Sequence, residues 1–210
     1  MGRYRGPRGK IERRLGENLF LKGERSHSPK AAIAKRPYPP GVHTKPGRGK
    51  VSEFGLQLRS KQKVRNTYRL MEKQLKRTVK TALEEKGGQD GIVEALESRL
   101  DNAVFRAGFA QSRDQARQIV NHGHILVNGK KVGIPSRTIK LGDVLSIREG
   151  SKKSPYFSAL MPVWLKNHEA QKWIEVNKNA MTAKIVGKPD SRESGIKIED
   201  IQAIVEFYSR

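Results

Sequence analysis

Between Ser112 and Lys131 the chain gathers groups that recognise anions and hydroxyls: Arg113, Arg117, His122, His124, Lys130 and Lys131, with Gln118 and Asn128 among them. Ser112-Arg113-Asp114-Gln115 has the pattern of a capping box, a serine with a glutamine three residues on, so a helix is expected to open there. Arg113 in its first turn would stand beside the positive end of the helix, where phosphate is favoured by the dipole and by free backbone N–H groups. Arg117, four residues on, shares that face. The helix should run through Ala116, Ile119 and Val120 and close at Gly123. The apolar period then switches to two. Ile125 and Val127 flank Leu126, Asn128-Gly129 fits a type I′ turn, and Lys131-Val132 returns. A helix-turn-helix leading into a hairpin thus carries its cations at the helix start, on the exposed side and on the turns. Gln118 and Asn128 can offer hydrogen bonds to ribose hydroxyls or base edges. The bland alternative is a solvated helix followed by an ordinary hairpin.

The charge of the whole chain weighs against that alternative. Its 210 residues carry 43 Lys and Arg against 21 Asp and Glu, a formal net charge of +22 with a pI near 10.4. Such an excess repels itself, and a polyanion relieves it, so nucleic acid is the implied partner. Residues 1–50 hold 14 of the basic and 3 of the acidic side chains, which is half of the surplus in a quarter of the length. A block of like charge of this kind reads as an arm that orders on its partner. With no cysteine, disulfides and thiolate metal sites are excluded. No apolar run is long enough for a membrane span, and the basic N-terminus lacks the apolar stretch of a secretory signal, so a reducing, cytoplasmic setting is expected.

The elements that must position these groups follow from periodicity. Residues 1–50 are punctuated by Gly6-Pro7, Pro37, Pro39-Pro40-Gly41, Pro46-Gly47 and Gly49, and read as an extended arm with a helical turn near Ile11–Leu15. Val64, Tyr68, Met71, Leu75, Val79 and Leu83 recur at spacings of three and four, which predicts one helix of about five turns. A shorter helix upstream, Ser52–Arg59, is expected to pack on it, and Gly87-Gly88 to end the segment. Ile92, Leu96, Leu100 and Val104 predict a further helix, broken at Gly108. A strand centred on Val144–Ile147 follows the Gly142-Asp143 turn. Trp164, Trp173, Ile174, Val176, Ile185 and Val186 suggest short strands, and Ile198, Ile201, Ile204 and Tyr208 a terminal helix with Glu199 and Asp200 near its start. Arg59, Lys61, Lys63, Arg65 and Arg69 share one sign within a short span and have no acidic partner among residues 59–71. Their mutual repulsion would oppose the helix unless an anion faces it, so phosphates are expected there.

Other chemistries find less support. His27, His43, His122, His124 and His168 make no metal site by spacing, and phosphate contact or turn packing suits the pair around Gly123 better. There is no P-loop, Gly-x-Ser-x-Gly or His-Glu-x-x-His pattern.

The motifs Leu96-Glu97-Ser98-Arg99-Leu100-Asp101-Asn102, Ser112-Arg113, Ala116-Arg117-Gln118 and His124-Ile125-Leu126-Val127-Asn128-Gly129 resemble the RNA-binding module named after ribosomal protein S-four. The resemblance extends along the chain. Gly2-Arg3-Tyr4-Arg5-Gly6-Pro7-Arg8, Pro40-Gly41 with His43, Gln57-Leu58-Arg59 with Lys61-Gln62-Lys63-Val64-Arg65, and the ending Val205-Glu206-Phe207-Tyr208-Ser209 are similar to the bacterial-type S-four family. It implies an α+β protein: a basic arm (1–50), a helical domain (51–91, completed by a C-terminal helix, 187–210), and an inserted module domain (92–186) of a helix-turn-helix against an antiparallel sheet, with its RNA-binding core at about 97–150.

The family resemblance also implies a structural constituent of the small ribosomal subunit. Such a protein binds 16S rRNA in its 5′ domain, nucleates assembly of the subunit body, touches ribosomal protein S-five, lies near messenger RNA entry and contributes to translational accuracy. It needs no cofactor and no membrane. The groups expected to meet rRNA are Arg3, Tyr4, Arg5, Arg8, Arg13, Arg14, Lys45, Arg48 and Lys50 in the arm and Arg59, Lys61, Lys63, Arg65 and Arg69 in the helix. In the module they are Ser112, Arg113, Arg117, Gln118, His122, His124, Asn128, Lys130 and Lys131. Many members hold zinc on four cysteines in the arm; this chain has none, so packing and RNA must hold residues 1–50. Pseudouridine synthases that share the module carry a catalytic Asp in an Arg-Leu-Asp motif. Here no large domain follows Arg99-Leu100-Asp101, and an ion pair is the expected role of the triplet.

Overall fold

The computed structural model describes residues 4, 6–41, 51–85 and 87–209. Of the expected RNA contacts, Arg3, Arg5, Lys45, Arg48 and Lys50 lie outside the described residues, as does His43. The chain divides into two compact units, residues 1–92 with 195–210, and residues 93–194. Among the described residues no helix is long and apolar enough to cross a membrane.

The first unit is helical. Helix α1 (Arg8–Leu15) ends at Gly16, whose φ of 72° lets the chain turn back. A 3-10 turn (Gly23–Ser26) and the single-turn α2 (Ala32–Lys35) follow. This stretch is not extended: Leu15, Leu19 and Leu21 form a small core with Ile11 against it. Their irregular spacing hides them from a periodicity search. Glu12 is buried beneath them, and its carboxylate accepts the N–H of Leu21 at 3.3 Å. Buried Ser26 accepts the N–H of Lys22 at 3.0 Å, while its carbonyl accepts from Asn18 at 2.7 Å. With no cysteine in the chain, this stretch has none of the thiolates that a zinc site of the family's kind needs.

Helix α3 (Glu53–Thr67) is capped by Ser52, whose hydroxyl accepts from Gly55 at 3.2 Å, and α4 (Glu72–Glu84) follows it. The expected five-turn helix is therefore two. Arg69 takes a left-handed φ of 56°, and the N–H of Leu70 folds back on the carbonyl of Arg65. No glycine or proline marks this break, and the apolar spacing runs on across it by coincidence of phase. Met71 and Leu83, both counted in that stripe, are in fact exposed. The terminal helix α10 (Ile198–Ser209) buries Ile201 and Ile204 and lies along α3, with Phe54 and Phe207 stacked at 5.5 Å.

Helix α5 (Gly88–Glu97) spans the boundary between the units. It is separate from α6 (Leu100–Arg106), although one helix was expected over both. The 135–139 loop takes the backbone between them. Leu100 N–H bonds to Arg137, Asp101 N–H to Pro135, and Ile139 N–H to Ser98. Tertiary backbone bonds thus replace the helical ones. Helix α7 (Arg113–Asn121) packs on α6 and closes at Gly123 (φ 71°) as the sequence indicates.

Five antiparallel strands complete the second unit: β1 (Ile125–Val127), β2 (Lys130–Lys131), β3 (Val144–Ile147), β4 (Ile174–Asn177) and β5 (Thr182–Ile185), in the order β2-β1-β3-β5-β4. Asn128 and Gly129 have φ of 50° and 77°, the signs that a type I′ turn requires. Between β3 and β4 run α8 (Glu149–Lys152), a π-helical turn (Tyr156–Leu160) and α9 (Met161–Leu165). Trp164 is thus helical and not in a strand, its indole N–H held by Gly108 O at 2.9 Å. Trp173 and Val186 flank β4 and β5. Leu100, Val104, Phe109, Val120, Ile125, Leu145 and Ile185 belong to one core between the helices and the sheet. The α+β architecture that the sequence implies is the one the chain adopts.

Replacing Glu12 by Ala strands the buried Leu21 N–H. The expected cost is about 1–3 kcal/mol, confined to residues 8–41. Amide exchange in that stretch should accelerate while exchange in the second unit is unchanged.

Candidate nucleic-acid interface

The expected cap is present. Ser112 Oγ accepts the N–H of Gln115 at 3.3 Å, and Gln115 Oε1 accepts the N–H of Gln111 at 2.9 Å, one residue earlier than a strict capping box. Ser112 is buried in this role.

The two arginines of α7 point inward. Arg117 Nη1 lies 3.3 Å from Asp101 Oδ2, which also takes Arg99 Nη2 at 2.9 Å. Arg113 Nε donates to Asn102 Oδ1 at 2.8 Å, its Nη2 lies 3.6 Å from Glu97, and its guanidinium covers the Phe105 ring at 4.7 Å. Arg106 grips both oxygens of Glu97 at 2.9 Å, and Asn102 Nδ2 donates to the same carboxylate at 2.8 Å. Four arginines therefore share two buried carboxylates. The Arg99-Leu100-Asp101 triplet is an ion pair within this network, as expected. Arg113 and Arg117, expected on the exposed side of α7, are only partly exposed and pair with carboxylates on α5 and α6, which an argument made on α7 alone cannot see.

The same holds in the first unit. Lys61 is buried, 2.6 Å from Glu72 and 4.2 Å above the Phe207 ring. Arg65 reaches Glu72 at 3.4 Å, and Tyr208 donates its hydroxyl to that carboxylate at 2.8 Å. Burial alone would raise the Glu72 pKa, but Lys61, Tyr208 and Arg65 outweigh it and hold it below the usual range. Lys63 bridges Glu17 at 2.7 Å and Asp200 at 2.8 Å. Burial would lower its pKa, and these two carboxylates raise it instead. Arg59 caps Leu15 O, and Arg69 donates to Tyr4 O at 3.1 Å. The expectation that this cluster awaits an external anion rested on the absence of acids at 59–71. Glu17, Glu72 and Asp200 supply them from other elements.

In the arm, Arg8 bonds to Leu21 O at 3.3 Å. Arg13 ties the carbonyls of Arg36 and Tyr38 and lies over the Tyr38 ring at 4.8 Å. Tyr4 and Arg14 are exposed.

What remains outside is a different set. On α4, Lys73, Lys76, Arg77 and Lys80 are exposed opposite the buried Leu75, Val79 and Ala82. In the second unit, Gln118, His122, Lys130 and Lys131 are exposed, joined by Arg148 at the end of β3. Arg148 was not among the expected contacts. The antiparallel register of β1 with β3, which sets Ile125 against Ile147, brings it beside His124, and its N–H bonds to His124 O at 2.9 Å. No local pattern carries that register.

His124 is half-buried, its Nδ1 2.9 Å from Ser151 Oγ and its ring edge-on to Phe157. Burial, then the charges of His122, Arg148 and Lys131, push its pKa below 6.5. Asn128 spends its amide on the turn, donating to Asp143 at 2.7 Å and accepting from Val144 at 2.8 Å. Among the described residues no group of three or more His, Asp or Glu could hold a metal ion.

Two family models match the chain: "Ribosomal protein S4/S9 N-terminal domain" over residues 3–97 and "S4 domain" over residues 98–145. Proteins called small ribosomal subunit protein uS4 are similar along the full length of both chains. The protein of Citrifermentans bemidjiense is 46% identical over 211 residues, that of Clostridioides difficile 45% over 212, and that of Thermotoga petrophila 43% over 211.

Arg113→Ala and Arg117→Ala are each expected to destabilise the second unit. The ceiling is about 3–5 kcal/mol, approached less closely because both guanidiniums keep some water. Lys130→Ala and Arg148→Ala should stay within about 0.5 kcal/mol of the parent. Denaturant unfolding of the four variants checks the division into framework and exposed cations.

Proposed function

The chain belongs to the uS4 family of small ribosomal subunit proteins, ribosomal components and not enzymes, and from that premise we propose that it binds 16S rRNA directly through its outward cations. It is a structural protein of the small subunit with an RNA-binding S4 domain.

The observation that carries the proposal is the sorting of charge. Lys61, Lys63, Arg99, Arg106, Arg113 and Arg117 are neutralised by carboxylates inside the units. Lys130, Lys131 and Arg148 stand exposed, with no carboxylate of the described residues at ion-pair distance. A chain this short of acids has no internal use for them, and phosphate is the complement. Exposed Lys73, Lys76 and Arg77 on α4 have the same reason to face RNA, and Tyr4 and Arg14, exposed in the arm, belong to the proposal because the family resemblance implies them. The expected contacts outside the described residues, Arg3, Arg5, Lys45, Arg48 and Lys50, belong to the same proposal on charge alone.

The finer reading follows the resemblance. The RNA target is the 5′ domain of 16S rRNA, and early binding there nucleates the body of the subunit. The protein works in the cytoplasm inside that particle, against ribosomal protein S-five and near messenger RNA entry, and so contributes to accuracy. Residues 92–186 serve as the module, with the RNA-binding core at about 97–150, supported by the S4-domain match at 98–145. Residues 51–91 with the helix inside 187–210 serve as the helical domain, supported by the packing of α10 on α3. The arm at 1–50 leads into it.

Affinity for a 5′-domain transcript should fall with salt, the log–log slope carrying about −0.7 to −0.9 for each phosphate contact. The Lys130→Ala, Lys131→Ala double variant should bind more weakly and lose roughly two contacts' worth of slope. An affinity indifferent to salt would remove phosphate as the partner of these side chains.

A further inference from the structure

Around the base of the hairpin, four groups that carry or can carry positive charge converge from different elements. His122 stands at the end of α7, with its ring 5.9 Å from that of His124. Arg148 at the end of β3 is pinned to His124 by a backbone bond of 2.9 Å. Lys131 on β2 is held by its stem, which crosses directly over Gly123. A Cβ added at that glycine would fall 2.2 Å from Lys131 Cε, and the φ of 71° also favours glycine there. Gly123 thus does two things at once, ending the helix and letting the lysine lie beside the two histidines.

Among the described residues no carboxylate pairs with His122, His124, Lys131 or Arg148. Behind the His124 ring are the Phe157 ring, its centroid 5.6 Å away, and the buried hydroxyl of Ser151. The carboxylate of α8, Glu149, is engaged by Lys152 at 2.6 Å. A cluster built like this is strained by its own charge until an anion enters it.

We propose that His122, His124, Lys131 and Arg148 form a seat for one phosphodiester of the bound RNA, and that His124 takes up a proton as the phosphate enters. The proposal rests on the RNA-binding function above and adds to it a named subsite and a proton linkage. Without an anion, burial and the charges of His122, Arg148 and Lys131 keep His124 neutral near pH 7. A phosphate lying among the same groups reverses the field at the ring and favours the imidazolium. Nδ1 is occupied by Ser151, whose hydroxyl can accept from the ring as readily as donate to it, so Nε2 is the atom left to donate to phosphate.

The sign follows. The His124 pKa is low in the free protein and higher in the complex, so binding consumes a proton and affinity rises as pH falls through the interval between the two values.

The test uses the full-length protein and a transcript of the 16S 5′ domain. The His124 Cε1–H resonance is titrated free and in the complex, and affinity is measured at pH 5.5 and 7.5 for the parent and for His124→Gln. The midpoint should rise by about one unit or more on RNA, and the parent should gain about tenfold more affinity than the variant over that range. An unmoved midpoint, or the same pH dependence in His124→Gln, overturns the seat while RNA binding stands. Absence of binding at both pH values overturns the RNA-binding function and the seat together. Because the resonance is read on the parent protein, the result does not depend on how well the variant folds.

Discussion

Carboxylates are the scarce component of this molecule, and the fold is organised around sharing them. With 21 acidic side chains for 43 basic ones, no one-to-one pairing is available. Glu97 collects Arg106, Arg113 and Asn102, and Asp101 collects Arg99 and Arg117. Glu72 collects Lys61, Arg65 and Tyr208. A buried charge left unpaired costs several kcal/mol, so Glu97 and Asp101, both buried, fix the place of the cations around them. Helices α5, α6 and α7 are tied to one another through Glu97 and Asp101. In the other unit, α3, α4 and α10 are tied through Glu72 and Asp200.

The proposed RNA surface is what this sharing leaves over. Cations near an acid are engaged within the units; those beyond reach of one stay in solvent with their charge uncompensated. That explains how arginines on one short helix can be structural while lysines a few residues further along the chain are not. It also sets the hairpin apart. Its turn is locked by Asn128 and Asp143, so Lys130 and Lys131 are presented on a rigid element instead of a flexible loop. Preorganised cations lose less side-chain and backbone entropy when a phosphate arrives.

Features written in local chemistry were legible in the sequence. The Ser112 cap, the Gly123 stop, the Asn128-Gly129 turn and the terminal helix each depend on residues within a turn of one another. Features decided at long range were not. The break at Arg69 carries no glycine, and the break at Ser98 exists because the 135–139 loop bonds there. Lys61, Lys63, Arg113 and Arg117 look outward until Glu72, Asp200, Glu97 and Asp101 are folded against them. Arg148 becomes part of the candidate site only through strand register. Charge still points to a polyanion, while Lys61, Lys63, Arg113 and Arg117, expected to face it, are also engaged by carboxylates inside the units.

Lysine acylation read by mass spectrometry, with and without the 16S 5′-domain transcript, addresses the division most directly. Lys61 and Lys63 should resist modification in both states, while Lys73, Lys76, Lys130 and Lys131 should react in the free protein and be protected on RNA. Reactive Lys61 or Lys63 in the free protein, or outward lysines that remain equally reactive in the complex, would contradict the account.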